Sequence, residues 1–178
     1  KKIRWGILGA GGIADRRTMP GMLLAEHAQI QAVMEIDADM VAECVKRGIP
    51  VIHGDLNSHL DYLLDQSFDC VLLTRVLQEL AHPEDVLREV TRIGKRGLVG
   101  FINFGHIRNR MQLFFSGKMP ASKNLPHAWY NTPNIHLGTL HDFRDLCKTL
   151  NIKVVSETPV AARFPRLTSL WPNWFAVG

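Results

Sequence analysis

Short apolar runs alternate with amphipathic stretches along most of this chain. Strand candidates lie at 3–8, 30–35, 51–53, 70–74, 97–102 and 153–157, and several are rich in Val, Ile and Leu without polar alternation. Strands buried on both faces have that composition, so these six segments are predicted strands. Helical spacing is predicted between them, at about 13–26, 39–46, 60–64, 83–93 and 140–150, with a further segment over 107–115. The helix over 83–93 is the clearest. Pro83 opens it, Glu84 and Asp85 occupy its first turn, and Val86, Leu87, Val90 and Ile93 form one apolar face. Strands alternating with helices predict an α/β fold, a Rossmann-like, doubly wound and mostly parallel sheet in a three-layer sandwich. A length of 178 residues suits a single domain. The rhythm breaks at 103–138, where Asn, His and Pro accumulate, and a connection of that length reads as an insertion or lid.

Composition narrows the class. No apolar run approaches the roughly 20 residues of a membrane span. Cys44, Cys70 and Cys147 are far apart and form no metal-ligand or disulfide pattern, as expected of reduced thiols in a cytoplasmic protein. The start without Met and the abrupt end at Gly178 suggest a portion of a longer chain. Residues 1–87 carry 8 Lys and Arg against 13 Asp and Glu, whereas residues 88–178 carry 13 against 4. The basic half has no aromatic interleaving of a nucleic-acid motif, so its charge is assigned to solvated faces and an anionic ligand's rim. His127, His136 and His141 have no carboxylate or Cys to complete a ligand set, and no metal site is expected.

The candidate chemistry starts at the first turn. Gly9-Ala10-Gly11-Gly12-Ile13-Ala14 fits G-x-G-x-x-[GA] between a predicted strand and a predicted helix. That context favours a nucleotide, with Gly9 for the tight turn, Gly11 for close approach of a phosphate and Ala14 for helix packing. Glu35 ends the second strand, where a carboxylate takes ribose hydroxyls and repels a 2′-phosphate. With Ile36 beside it, this set points to NAD. Asp37 is assigned to capping the next helix. Thr74 and Arg75 lie at the carboxyl end of the fourth strand, where open α/β sheets bind ligands.

Two resemblances follow. "GILGAGGIA" through "AQIQAV" resembles the start of the Gfo/Idh/MocA family of NAD(P)-dependent oxidoreductases. From about Glu35 onward, "EIDADMVAECVKRGIPVIHGDL", "LLTRVLQELAHPEDVLREV", "WYNTPNIHLGTLHDFRDLC" and "LWPNWFA" resemble the methionine-biosynthesis MetW family, which is methyltransferase-like and of class I. The pair suggests a chimera, with residues 1–34 as an oxidoreductase-like β–α–β element on a methyltransferase-like body over 35–178.

The MetW resemblance implies S-adenosylmethionine (SAM) or S-adenosylhomocysteine (SAH) as the alternative cofactor. It implies adenine contacts from Asp55 and Leu56, and a homoserine acyltransferase as a partner. Ile7 and Leu8 stand where that family's first strand ends in an acid, which weighs toward NAD. The oxidoreductase family's Lys motif after the fifth strand is absent, so little or no turnover is expected. Substrate-side candidates are Arg75, Asn103, His106, Tyr130, Asn134 and His136; the catalytic residues are left open. "MQLFF" and "LTSLWPNWF" are candidate partner surfaces, although their composition favours core packing.

Overall fold

The computed structural model describes residues 2–11, 14–58, 60–121, 126–133, 135–160 and 165–177. The chain divides into two compact units, Lys1–Gly100 and Phe101–Gly178.

The first unit is a parallel sheet of β1 (Ile3–Leu8), β2 (Ala28–Glu35), β3 (Val51–His53), β4 (Cys70–Thr74) and β5 (Gly97–Gly100). The order is β3-β2-β1-β4-β5, so the chain reverses its direction of growth between β1 and β4. α1 (Met19–Leu24), α2 (Ala38–Lys46) and α3 (Pro83–Ile93) cover the faces. Ile7, Val33 and Leu72 project from three adjacent strands into one cluster with Met19, Cys44 and Ile49. The apolar face of α3 is buried as its spacing predicts. It packs so closely that a side chain at Gly97 would meet Val90.

Several predicted boundaries shift for local reasons. The helix expected over 13–26 is split into a π-turn over Ala14–Thr18 and the six-residue α1. Pro20 has no N–H to give the preceding turn and sits instead at the start of α1. Residues 60–64 form turns rather than a helix, held from outside by Arg92, which donates to the carbonyls of Leu60 and Leu63 and to Asp65. β2 begins two residues earlier than predicted and β5 ends at Gly100, not at 102.

At the amino-terminal edge of the sheet, Asp69 accepts from the Arg4 backbone at 3.1 Å, the Arg4 side chain and Lys95 Nζ at 2.8 Å. These bonds hold its carboxyl well below the usual carboxylate range. Because the unfolded chain binds the proton more readily, the ion cluster contributes fully above about pH 4 and fades as pH falls toward the folded value. An Asp69→Asn variant is therefore expected to show a shallower loss of stability below pH 4, measured by urea denaturation across pH; an unchanged slope would contradict this.

The second unit contains α4 (Ile107–Ser116), α5 (Leu140–Thr149), α6 (Pro165–Leu170) and α7 (Pro172–Phe175). α4 and α5 lie where the pattern predicts them. Thr139 and Asp142 cap α5 reciprocally. The strand expected over 153–157 is not one: the segment has no ladder partner among the described residues, and Glu157 is held by Arg144 of α5 at 2.6 Å. No helix among the described residues is long and apolar enough to cross a membrane.

Candidate functional site

The order of the sheet reverses between β1 and β4, and the carboxyl ends of strands at such a reversal are where open α/β sheets take ligands. Register decides what lies there. Leu8 pairs with Met34 on one side and Leu73 on the other, so Glu35 and Thr74 flank the turn that begins at Gly9.

Gly9 is required there on two counts. Its φ is +86°, and an added Cβ would lie 2.5 Å from Val76 Cγ2. Its N–H donates to the Met34 carbonyl at 2.9 Å. Gly11 differs: it is exposed and a Cβ would meet nothing within 4 Å. Gly12 and Ile13 lie outside the described residues. Ala14 is buried, as close packing of the first turn requires.

Glu35 is buried, and its carboxylate ties the turn together. Oε2 accepts from the Ala10 N–H at 2.5 Å, and Oε1 from the N–H groups of Ile36 and Asp37 at 2.9 and 3.1 Å. Ile36 itself is 59% exposed, an apolar surface beside the carboxylate. Its carbonyl contacts His53 Nε2 at 2.9 Å. Asp37 caps α2 as expected, accepting from Asp39 and Met40.

Asp55 is half-buried and shapes the loop after β3: Oδ1 accepts from the backbone and side chain of Asn57. Asn57 in turn accepts from the Ala81 N–H. Leu56 is buried. Tyr62, which the sequence reading missed, donates to Met34 Sδ at 3.6 Å, and burial pushes its hydroxyl pKa up.

Thr74 Oγ1 is buried with no hydrogen-bond partner among the described residues. A buried hydroxyl in that state is costly unless a ligand completes it. Arg75 follows in the left-handed region at φ +61°, its N–H donating to the Gly100 carbonyl at 2.7 Å. Strained backbone of this kind gathers at ligand sites.

Asp15 is the second residue of the π-turn, its carboxylate paired with Arg47 at 2.7 Å, and Arg16 and Arg17 follow it.

The second unit holds the remaining candidates. Asn103 is buried and committed to the protein: Nδ2 donates to the carbonyls of Asn173 and Ala176, and Oδ1 accepts from Gly105. His106 caps α4, its Nδ1 accepting from the Arg108 N–H at 3.1 Å. Burial and the nearby Arg108 charge lower its pKa, so the ring is neutral at pH 7 with its proton on Nε2. Tyr130 is exposed and lines a pocket of about 550 Å³ with Phe104, Met119, His127, Trp129 and Ile135. That volume suits a small molecule. His136 is exposed and is not among the lining residues; Asn134 lies outside the described residues.

One group of potential metal ligands comes together among the described residues: His82, Glu84 and Asp85. They sit at the start of α3, where carboxylates are favoured by the helix dipole without any ion.

Comparison with known proteins bears on both units. The family model for methionine biosynthesis protein MetW matches residues 8–177. The bifunctional methionine biosynthesis protein MetXA/MetW of Rhodopirellula baltica is 33% identical over 146 residues, which cover 82% of this chain and 23% of that protein. The chain thus spans under a quarter of that relative's length. Among solved structures, a SAM-dependent methyltransferase from Thermotoga maritima aligns with a TM-score of 0.60 at 21% identity, over 86% of this chain and 65% of that one. A SAM-dependent methyltransferase from Aquifex aeolicus aligns at 0.59 and 14% identity, over 90% and 77%. These likenesses establish the class I methyltransferase-type Rossmann-like fold.

They also overturn the chimeric, NAD-binding expectation. The family match takes in the glycine turn, α1 and residue 34, which removes the ground for a seam there. The turn that suggested an oxidoreductase is a local solution shared by many βαβ units. By the extent of that match and the identity to its relative, the chain belongs to the MetW family of methionine-biosynthesis proteins.

Proposed function

We propose that this chain is a SAM-dependent methyltransferase-like protein that works beside an acyltransferase of methionine biosynthesis. The observation that carries the cofactor reading is the buried Thr74 hydroxyl, without a partner among the described residues, at the same carboxyl edge of the sheet as Glu35 and the turn holding Gly11. SAM carries a transferable methyl group on a cationic sulfur and has no phosphate. Its hydroxyl and amino groups suit carboxylate acceptors, and Glu35 and Asp55 lie in or next to the loops at this edge.

Each residue has a definite task in this reading. Glu35 takes the ribose hydroxyls on the carboxylate lone pairs that its three backbone bonds leave over. Ile36 offers apolar contact to the adenosine. Asp55 and Leu56 hold the adenine, as the family resemblance implies. Thr74 gives its hydroxyl to the amino-acid end. Arg75 is the substrate-side group of the first unit.

The partner reading rests on a separate finding: the Rhodopirellula baltica relative carries MetXA and MetW in one polypeptide.

Thermal and urea unfolding with SAH test the cofactor reading. Ligand at 100 times its Kd is expected to add about 2.7 kcal/mol of stability. A Gly11→Val variant is expected to match the parent within about 0.5 kcal/mol without ligand, since the new side chain enters open space. It is expected to lose the ligand-dependent gain. Equal stabilisation of both proteins would remove the turn from the site.

A further inference from the structure

α4 is built inside out. A surface helix ordinarily turns apolar residues inward and polar ones to water. Here Asn109 is the buried residue, its Nδ2 donating to the Phe104 carbonyl at 3.1 Å. Met111, Phe114 and Phe115, spaced i, i+3 and i+4 on one face, are 45%, 82% and 73% exposed. The rings of Phe114 and Phe115 meet edge to face, with centroids 5.1 Å apart, so each restrains the other. "MQLFF" is therefore not core, contrary to the expectation from its composition.

Exposed adjacent aromatics of this kind mark binding surfaces, because large rings with few rotors supply contact area at low entropic cost. The rim is basic. Arg108 and Lys118 are exposed at the two ends of the helix. Residues 101–178 carry 9 Lys and Arg against 3 Asp and Glu. A complementary partner presents an apolar groove edged with carboxylates.

We propose that the Met111–Phe114–Phe115 face of α4 is the surface that docks the acyltransferase. This inference rests on the partner reading above and names its contact surface. The occupant is argued from the Rhodopirellula baltica protein, in which the two activities' chains are covalently joined. A linker of that kind keeps one module at high effective concentration near the other. Where the modules are separate chains, a surface must supply that association, and this face has the apolar centre and charged rim to do so.

The test uses the full chain and the acyltransferase of the same organism, with affinity measured by calorimetry and assembly by sedimentation velocity. The parent is expected to bind, and more weakly as salt is raised, because Arg108 and Lys118 steer the encounter. A Phe114→Ser, Phe115→Ser double variant is expected to bind at least about tenfold more weakly. Its circular dichroism melt and its SAH affinity are expected to match the parent, since both side chains project into solvent. Binding equal to the parent's would overturn the surface while leaving the partner reading intact. No binding by the parent would overturn both. Self-association of the protein alone, abolished in the double variant, would assign the face to a second copy of this chain and overturn the proposal.

Discussion

Gly9→Ala is expected to destabilise the protein by roughly 3 kcal/mol and to lower cofactor affinity with it. Two independent terms add. A side chain in the left-handed region costs about 1–2 kcal/mol, and Gly9 has a φ of +86°. Forcing a methyl into a filled site costs about 1–3 kcal/mol more, and the new carbon would sit 2.5 Å from Val76 Cγ2. The terms separate experimentally. Adding Val76→Ala removes the collision but not the torsional strain, so the double variant is expected to recover about half of the loss in urea denaturation. Full recovery would show that the backbone conformation contributes nothing. No recovery would show that the packing contact is not the one described.

Glu35→Ala is expected to lose roughly 3 kcal/mol of stability and most of the affinity for SAH. Hydrogen bonds to a charged group contribute about 1.5–3 kcal/mol, and a buried donor left without a partner adds its own desolvation cost. Here three backbone N–H groups depend on one carboxylate, and that of Ala10 is buried. The variant therefore loosens the glycine turn as well as removing the proposed ribose contact. Glu35→Gln separates the two roles. Its amide oxygen keeps part of the acceptor set, so stability is expected to fall less than in the alanine variant while SAH binding still weakens. Stability equal to the parent's in Glu35→Ala would mean that the carboxylate does not tie the turn to β2.

Much of this architecture was legible in the residues. β4 matches its apolar run because a central parallel strand buried on both faces leaves no polar positions to blur its ends, and β1 and β3 match theirs as well. α3 was legible because Pro83, the acidic first turn and the 3.6-residue apolar spacing agree. The failures have equally local causes. One proline inside a helical pattern, Pro20, divided the first helix. The apolar residues around Leu60 satisfied a helical spacing, yet the segment is short and Arg92 holds its carbonyls in turns. For 153–157, β-forming composition was present but no neighbouring strand lies among the described residues.

The candidate site was legible by position rather than by bonding. Glu35 and Thr74 stood out because they end strands. That Glu35 clamps Ala10 depends on the register of two strands 25 residues apart, which no local pattern encodes. Tyr62 carried no signal at all. The glycine turn misled in a specific way: G-x-G-x-x-A describes a backbone path, and the path is common to dinucleotide and methyltransferase sheets.

The most direct test of this account is a calorimetric titration of the purified protein with SAH and, separately, with NAD. The account predicts saturable binding of SAH and no binding of NAD, with the SAH signal lost in Glu35→Ala. Saturable binding of NAD without any of SAH would contradict it.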